Sequence, residues 1–316
     1  MEDKQNPLVS VAVITYNSSR TVVETLDSIY NQTYQNIELI ISDDCSTDNT
    51  VEICREWVNQ HKERFARTEL ITVPQNTGVS ANVNRSVKAC RGEWIKDIAG
   101  DDLLLPNAIQ EYIEYVTTNK DVYWCFARAI CFGENERQVD ISQQNHDIDF
   151  YNWDKKHLLD YLYLTGGCPM FSPTAFFNRK KLIESGVKAD QRVRNAEDRV
   201  MWIRMLEYGF KMGFVDKPLI KYRISENSLS QRKTISPAML LANQQFNKYY
   251  TIPYVWRKGH KWFAIRLYMV NEREMKKSLF WKIICKMVKI ICGPVPTIES
   301  IFHIRYAYWI DNNENN

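Results

Sequence analysis

Residues 8–17 read LVSVAVITYN and residues 37–48 read IELIISDDCSTD. In each, a short run rich in Val and Ile breaks abruptly into polar side chains. Runs of this kind belong to strands buried on both faces, as in a parallel sheet covered by helices. Helical periodicity follows both. Val22, Val23, Leu26, Ile29 and Tyr30 recur at three- and four-residue spacing after the first run. After the second, Ser46-Thr47-Asp48-Asn49 offers N-cap chemistry, with Ser46 and Asp48 as the caps, ahead of Val51, Cys54 and Val58. Glu69–Val73 and Glu93–Ile98 read as further strands. A third helix follows Gly78 with Val83, Val87 and Cys90, and a fourth is predicted from Pro106, through Ile109, Tyr112, Ile113 and Val116. This alternation predicts an α/β fold whose mostly parallel sheet is wound by right-handed crossovers.

Beyond residue 120 the pattern loosens. Val122–Ile130 reads as a strand, 133–156 as a long polar loop, and Asn178–Ser185 and Ala196–Tyr208 as helices, the latter closed by Gly209. Leu219–Arg223 reads as the last strand. Residues 1–120 and 121–250 are read as two halves of one domain, and 251–316 as a basic, aromatic helical tail.

The chain of 316 residues is long enough for a substantial core. A net charge of +3 is too small to point to nucleic acid. Its distribution is uneven: eleven Lys/Arg face three acidic residues between Trp256 and Trp309. The eight cysteines include no C-x-x-C pair, which argues for buried thiols in a reducing compartment and against a zinc site. The run Leu8–Ile14 is too short for a signal peptide or a membrane span, so a cytoplasmic protein is expected.

Ligands of open parallel sheets bind beyond the carboxyl ends of the strands. Four polar clusters fall there: Thr15-Tyr16-Asn17, Asp43-Asp44-Cys45-Ser46, Asn76-Thr77-Gly78 and Asp101-Asp102. Any one alone reads equally well as a solvated turn or a helix cap. Four in register at one edge are harder to dismiss. Asp101 and Asp102 sit between apolar runs, where adjacent carboxylates repel unless a cation or donor lies between them. Mg²⁺ or Mn²⁺, bridging carboxylate to substrate phosphate, fits that pair. No P-loop and no G-x-G-x-x-G occurs.

VSVAVITYN, IELIISDDCSTDNT and NTGVSANVNRSVKACRGEWIKDIAGDD, in that order, resemble the inverting GT-A glycosyltransferases of family 2, of the bacterial polysaccharide or glycolipid type. The likeness runs over about residues 8–225. It implies a GT-A fold, a nucleotide-sugar donor with UDP as default, and a glycan or lipid-linked acceptor. Tyr16 would pack on the nucleobase between Thr15 and Asn17. Asp44 would hydrogen-bond the pyrimidine imide, with Asp43 shaping the turn, and Asn76, Gly78 and Asn82 would line the nucleotide pocket. Asp102 would be the metal ligand and Asp101 would reach ribose or sugar. Ala99 stands where the family's fuller motif has another carboxylate. In Asn195-Ala196-Glu197-Asp198 the resemblance makes Asp198 the base that deprotonates the acceptor hydroxyl, with Glu197 orienting the acceptor or the base; spacing alone equally allows two first-turn carboxylates favouring the helix dipole. Gly166 and Gly167 resemble the acceptor-side wall. Tyr222-Arg223-Ile224-Ser225 resembles a closing motif whose histidine is replaced by Ser225, leaving Arg223 to neutralise diphosphate charge. A silent nucleotide-sugar-binding protein and a sugar nucleotidyltransferase are the alternative readings.

In the tail, Phe280, Ile283, Ile284, Met287, Val288 and Ile291 share one helical face, opposite Lys282, Lys286 and Lys289. A helix over 279–292 would lie peripherally on the inner face of an anionic membrane, or dock on this chain or on a second subunit of a homodimer.

Overall fold

The computed structural model describes residues 6–133, 148–165, 168, 170–193, 196–224 and 237–276. The chain forms two compact units, the first comprising Met1–Asn152, Pro169–Gln191 and Val200–Arg232. That unit holds one sheet of β1 (Val9–Thr15), β2 (Ile37–Asp43), β3 (Arg67–Ile71), β4 (Trp94–Ala99), β5 (Leu103–Leu104), β6 (Val122–Gly133), β7 (Phe176–Asn178) and β8 (Lys211–Ile224). The spatial order is β3-β2-β1-β4-β7-β6-β8-β5.

The pairings β3–β2, β2–β1 and β1–β4 are parallel. β7 then runs antiparallel to both β4 and β6, β6 pairs parallel with β8, and β5 closes antiparallel on β8. The sheet is thus mostly parallel, as expected, with a reversal at β7. Registers align the strand ends that matter. Thr15, the last residue of β1, stands beside Asp43, the last of β2, and Ile14 stands beside Ala99, the last of β4.

β1 and β2 are apolar throughout because both faces are covered: Val9, Val11, Val13, Leu39, Ile40 and Ile41 are fully buried. The covering helices are α1 (Val22–Tyr30), α2 (Thr50–His61), α3 (Val79–Ala89) and α4 (Ala108–Thr118). α1 turns Val22, Leu26 and Ile29 into the core. The three-residue β7 is held by aromatic stacking rather than by length. Phe176 stacks on Trp94 and Tyr112 at 5.2 and 4.8 Å, and the Tyr112 hydroxyl donates to the Thr174 carbonyl at 2.6 Å. Along the chain follow α5 (Lys155–Leu164), α6 (Arg179–Ser185) and α7 (Glu197–Tyr208). Trp202 of α7 lies against Trp124 and Phe126 of β6.

Several expectations need correction. The fourth helix starts at Ala108, not Pro106, because the Ala108 amide is taken by the Leu105 carbonyl in the preceding turn. The last strand begins at Lys211, well before Leu219, and its register breaks at Pro218, which has no N–H to offer the ladder. The loop expected over 133–156 ends early. Ile148–Asn152 forms a 3₁₀ turn, and Asp154 caps α5 by accepting from the His157 amide at 2.9 Å. Gly209 does close α7, with φ of 98°.

The second unit comprises Trp153–Cys168, Arg192–Arg199 and Lys233–Asn316. It contains α5, α8 (Pro237–Phe246), a π-helical turn Asn247–Thr251, α9 (Ile252–Arg257) and α10 (Lys261–Lys276). Tyr163 stacks on Tyr254 at 3.9 Å, and Thr251 donates to the Tyr163 carbonyl. Among the described residues no helix is long and apolar enough to cross a membrane, and six cysteines are free. The amphipathic segment 279–292 lies outside the described residues.

Candidate functional site

The carboxyl edge of β1, β2 and β4 is knitted by side chains from the predicted clusters. Asp43, at 1% exposure, accepts from Thr15 Oγ1 at 2.9 Å and from the amide and hydroxyl of Ser46. Ser46 is therefore not a helix cap. It closes the turn on Asp43, and its oxygen accepts from the Asn17 amide at 2.8 Å. α2 instead starts after Asn49, with Asp48 accepting from the Thr50 and Ser19 amides. Asn17 itself adopts a φ of 53° and Cys45 a φ of 66°, left-handed conformations that non-glycine residues seldom hold. Asn17 is kept there by its side chain, whose oxygen accepts from the Thr47 amide at 2.8 Å. Tyr16, between Thr15 and Asn17 in the chain, is half exposed.

Asp44 is buried and saturated. It accepts from the Thr77 amide and hydroxyl, the Gly78 amide at 2.7 Å and Arg85 Nη2 at 3.0 Å. Burial alone would raise its carboxyl, but these donors outweigh it and hold the group below the usual carboxylate range. Gly78 needs its φ of 86°, which a larger residue would resist. The Asn76 side chain accepts from the Gly78 amide. Buried Asn82 ties α3 to β1, donating to the Thr15 carbonyl and accepting from Arg85.

Arg85 was missed by sequence reasoning, and Thr77, though part of a predicted cluster, was given no role of its own. The guanidinium of Arg85 reaches Ser42 at 3.0 Å, Asp44, Asn82 and the Thr77 hydroxyl, joining β2, the 76–78 turn and α3. Its signal was weak: one arginine on a helix, seven residues past a glycine. Replacing Arg85 with Met should cost about 1.5–3 kcal/mol of stability, since it removes a charged hydrogen bond at a buried carboxylate. Denaturant melts of parent and variant check this, and an unchanged stability would refute the clamp.

The second cluster sits at the end of β4. Asp101 is exposed and Asp102 is 1% exposed. Burial and the neighbouring charge of Asp101 push the Asp102 carboxyl up to about 8. Arg223 holds this turn: its amide donates to Asp102 Oδ1 and its Nε to the Asp101 carbonyl, both at 2.9 Å. Its remaining contacts are Glu24 at 2.8 Å and the Phe132 ring below it. Lys96, fully buried on β4, donates to the carbonyls of Asp97 and Pro173. The two clusters are joined directly. Thr21 Oγ1 donates to the Gly100 carbonyl at 2.7 Å, and a Cβ at Gly100 would meet Thr15 Cγ2 at 2.8 Å.

A divalent cation is compatible with this end. Among the described residues no three acidic, His or Cys side chains gather, and Ala99 supplies no further carboxylate. The second oxygen of Asp102, however, accepts no hydrogen bond among the described residues, and its carboxyl is raised first by burial and then by the charge of Asp101, both of which a bound cation would offset. That suits an ion that keeps waters and phosphate oxygens for most of its shell.

Asp198 belongs to the second unit. It sits half-buried in the first turn of α7, which Glu197 opens, and its Oδ1 accepts from the Arg199 amide at 2.6 Å. Burial raises its carboxyl above the ordinary range. Arg199 is pinned beneath it, donating to the Leu162 carbonyl and lying 3.6 Å above the Phe246 ring. Gly166, Gly167 and Ser225 lie outside the described residues.

The family model described as glycosyl transferase family 2 matches residues 10–186. An uncharacterised glycosyltransferase of Methanocaldococcus jannaschii is 25% identical over 288 residues, covering 89% of this chain and 86% of that one. Chondroitin synthase of Escherichia coli is 29% identical over 209 residues, 65% of this chain but 27% of its own length. Among solved structures, S. aureus TarS 1–349 in complex with UDP-GlcNAc has a TM-score of 0.57 at 17% identity, covering 96% of this chain and 89% of that one. The mannosyltransferase PcManGT of Pyrobaculum calidifontis, solved with GDP-Man and Mn²⁺, has a TM-score of 0.54 at 16% identity, with 96% and 86% covered. The likeness to the solved structures is one of fold. The family match takes in the strand-end clusters from Thr15 to Asp102, and the chain belongs to glycosyl transferase family 2 and is a glycosyltransferase.

Proposed function

We propose that this glycosyltransferase moves a sugar from a nucleoside-diphosphate donor, a UDP-sugar, to a hydroxyl of a glycan or lipid-linked acceptor, with inversion. The observation that carries this reading is the convergence of an exposed aromatic ring and a buried carboxylate on one sheet edge. Tyr16 follows β1 and Asp102 follows β4, and β1 and β4 are neighbours in register. The nucleotide-sugars bound by TarS and PcManGT support the same donor class.

Tyr16 offers the nucleobase a stacking face, while Asp44 with Thr77 and Gly78 walls the pocket. Asn17, Asp43 and Asn82 act at one remove, by fixing the loops. Asp102 would hold a divalent cation, which, when bound, offsets charge on the diphosphate as it leaves. Asp101 borders the sugar, and Arg223 keeps the pair in place. At the acceptor, Asp198 takes the hydroxyl proton as that oxygen bonds the anomeric carbon and the bond to the diphosphate breaks. Glu197, the residue before Asp198 in the chain, orients the acceptor or the base.

Thermal shift with UDP-sugars, GDP-sugars and UMP, each with and without Mn²⁺, tests the donor. A UDP-sugar with Mn²⁺ at a hundredfold excess over its Kd should stabilise the fold by about 2.7 kcal/mol. That shift should be lost in Tyr16→Ala. Equal shifts from UMP without metal, or no shift from any diphosphate, would overturn the reading.

A further inference from the structure

We infer that the α9–α10 corner of the second unit is a contact surface for an anionic lipid bilayer. α9 and α10 meet in a tight turn where Gly259 takes a φ of 90° and the amides of Lys258, Gly259 and His260 return to the carbonyls of Tyr254, Trp256 and Val255. The inner side of this corner is complete: Tyr254, Val255, Ala264 and Leu267 are buried. The outer side nonetheless carries Trp256, Trp262, Ile265 and Tyr268, of which Trp262 is 75% exposed. On α10, Trp262, Ile265 and Tyr268 recur every three residues along the exposed strip. Lys261 Nζ lies 5.9 Å from the Trp256 ring centroid, which brings α9's tryptophan to the same side.

Large aromatics left outside a finished core mark an interaction surface. Two tryptophans flanking a basic turn suit one environment in particular. An indole with an apolar body and an N–H donor settles at the headgroup level, and lysine or arginine beside it meets anionic lipid. The charge is one-sided: Arg257, Lys258, Lys261 and Arg266 are basic, and residues 252–271 contain no acidic side chain. Lys258 is partly engaged, 3.9 Å from Asp160. Arg257 and Lys261 are exposed. This surface goes beyond the transfer reaction and is made of residues other than 279–292.

Co-sedimentation of the full chain with phosphatidylglycerol/phosphatidylcholine vesicles tests it, with pure phosphatidylcholine as the neutral control. Binding is expected to the anionic vesicles and to weaken with salt. Replacing Trp256 and Trp262 together by Ser should reduce it about tenfold or more. Arg257→Glu with Lys261→Glu should cost at least about fivefold per charge removed. Circular dichroism should remain that of the parent in both variants, because the altered side chains are exposed. Undiminished binding by the tryptophan variant, equal binding to neutral vesicles, or no binding by the parent chain would each overturn the inference. So would a parent dimer that the tryptophan variant turns into monomer, which would assign the surface to a second copy.

Discussion

Asp198→Asn is expected to lower kcat about a thousandfold and leave the donor KM near its original value. Positioned general bases contribute about 10²–10⁴-fold, and Asn keeps the shape while losing the basic oxygen. The environment favours the role. Burial lifts the Asp198 carboxyl above its ordinary range, making it a stronger base than a solvated aspartate. The Arg199 amide fixes one of its oxygens. The pH profile supplies a second readout. In the parent enzyme the acid limb of kcat/KM should lie above the usual carboxylate range, and activity should fall as pH drops through it. In the variant the contribution of Asp198 to that limb should be lost, leaving only the part set by the raised Asp102 carboxyl. If Asp198 served only the helix dipole, the same change would cost about 0.3–2 kcal/mol of stability and spare kcat. Transfer rates indifferent to the substitution would remove the assignment.

The largest stability loss is expected far from the chemistry, at Glu38 near the start of β2. This carboxylate is fully buried and accepts from Ser10, Arg67 at 2.9 Å, and the amides of Arg91 and Gly92. Glu38→Ala takes away an acceptor shared by four donors, of which Gly92 retains Ser10 Oγ and Arg67 retains Glu69 and the Ala89 carbonyl. One is a guanidinium, so the cost should be about 3–5 kcal/mol, or roughly 10 °C in Tm for a unit of this size. Acid should reproduce part of it. Burial would raise the Glu38 carboxyl, yet its donors hold it below the ordinary range. Its contribution is therefore complete above the unfolded carboxyl's pKa and disappears as pH falls through the lower folded value. Thermal melts across that range should show the parent losing stability where the variant does not. A variant within about 1 kcal/mol of the parent would contradict this account.

The doubly buried strands were legible because a strand covered on both faces must be apolar throughout, as Val9–Val13 and Leu39–Ile41 are. β7 was not. Three residues carry no periodicity, and Phe176 is held by stacking on residues 64 and 82 positions earlier in the chain. The first half of β8 was hidden because it opens on exposed Lys211 and is interrupted at Pro218. At the site, the acidic pairs and Tyr16 stood out by lying where apolar runs stop. Arg85 did not, because its four partners come from three separate stretches of chain. Ser46 was misread for a related reason. A hydroxyl after two aspartates can cap the coming helix or turn back onto the carboxylate before it, and only the burial of Asp43 decides.

The missing side chain at Gly100 has a wider consequence. Because Thr15 occupies the space a Cβ would need, the loop bearing Tyr16 and the turn bearing Asp102 rest directly against each other, with Thr21 bonded across the seam. Neither can be lengthened, swapped or redesigned by itself. A graft that imports a new nucleobase platform into this scaffold must bring the matching acidic turn along with it, as one interlocking cassette.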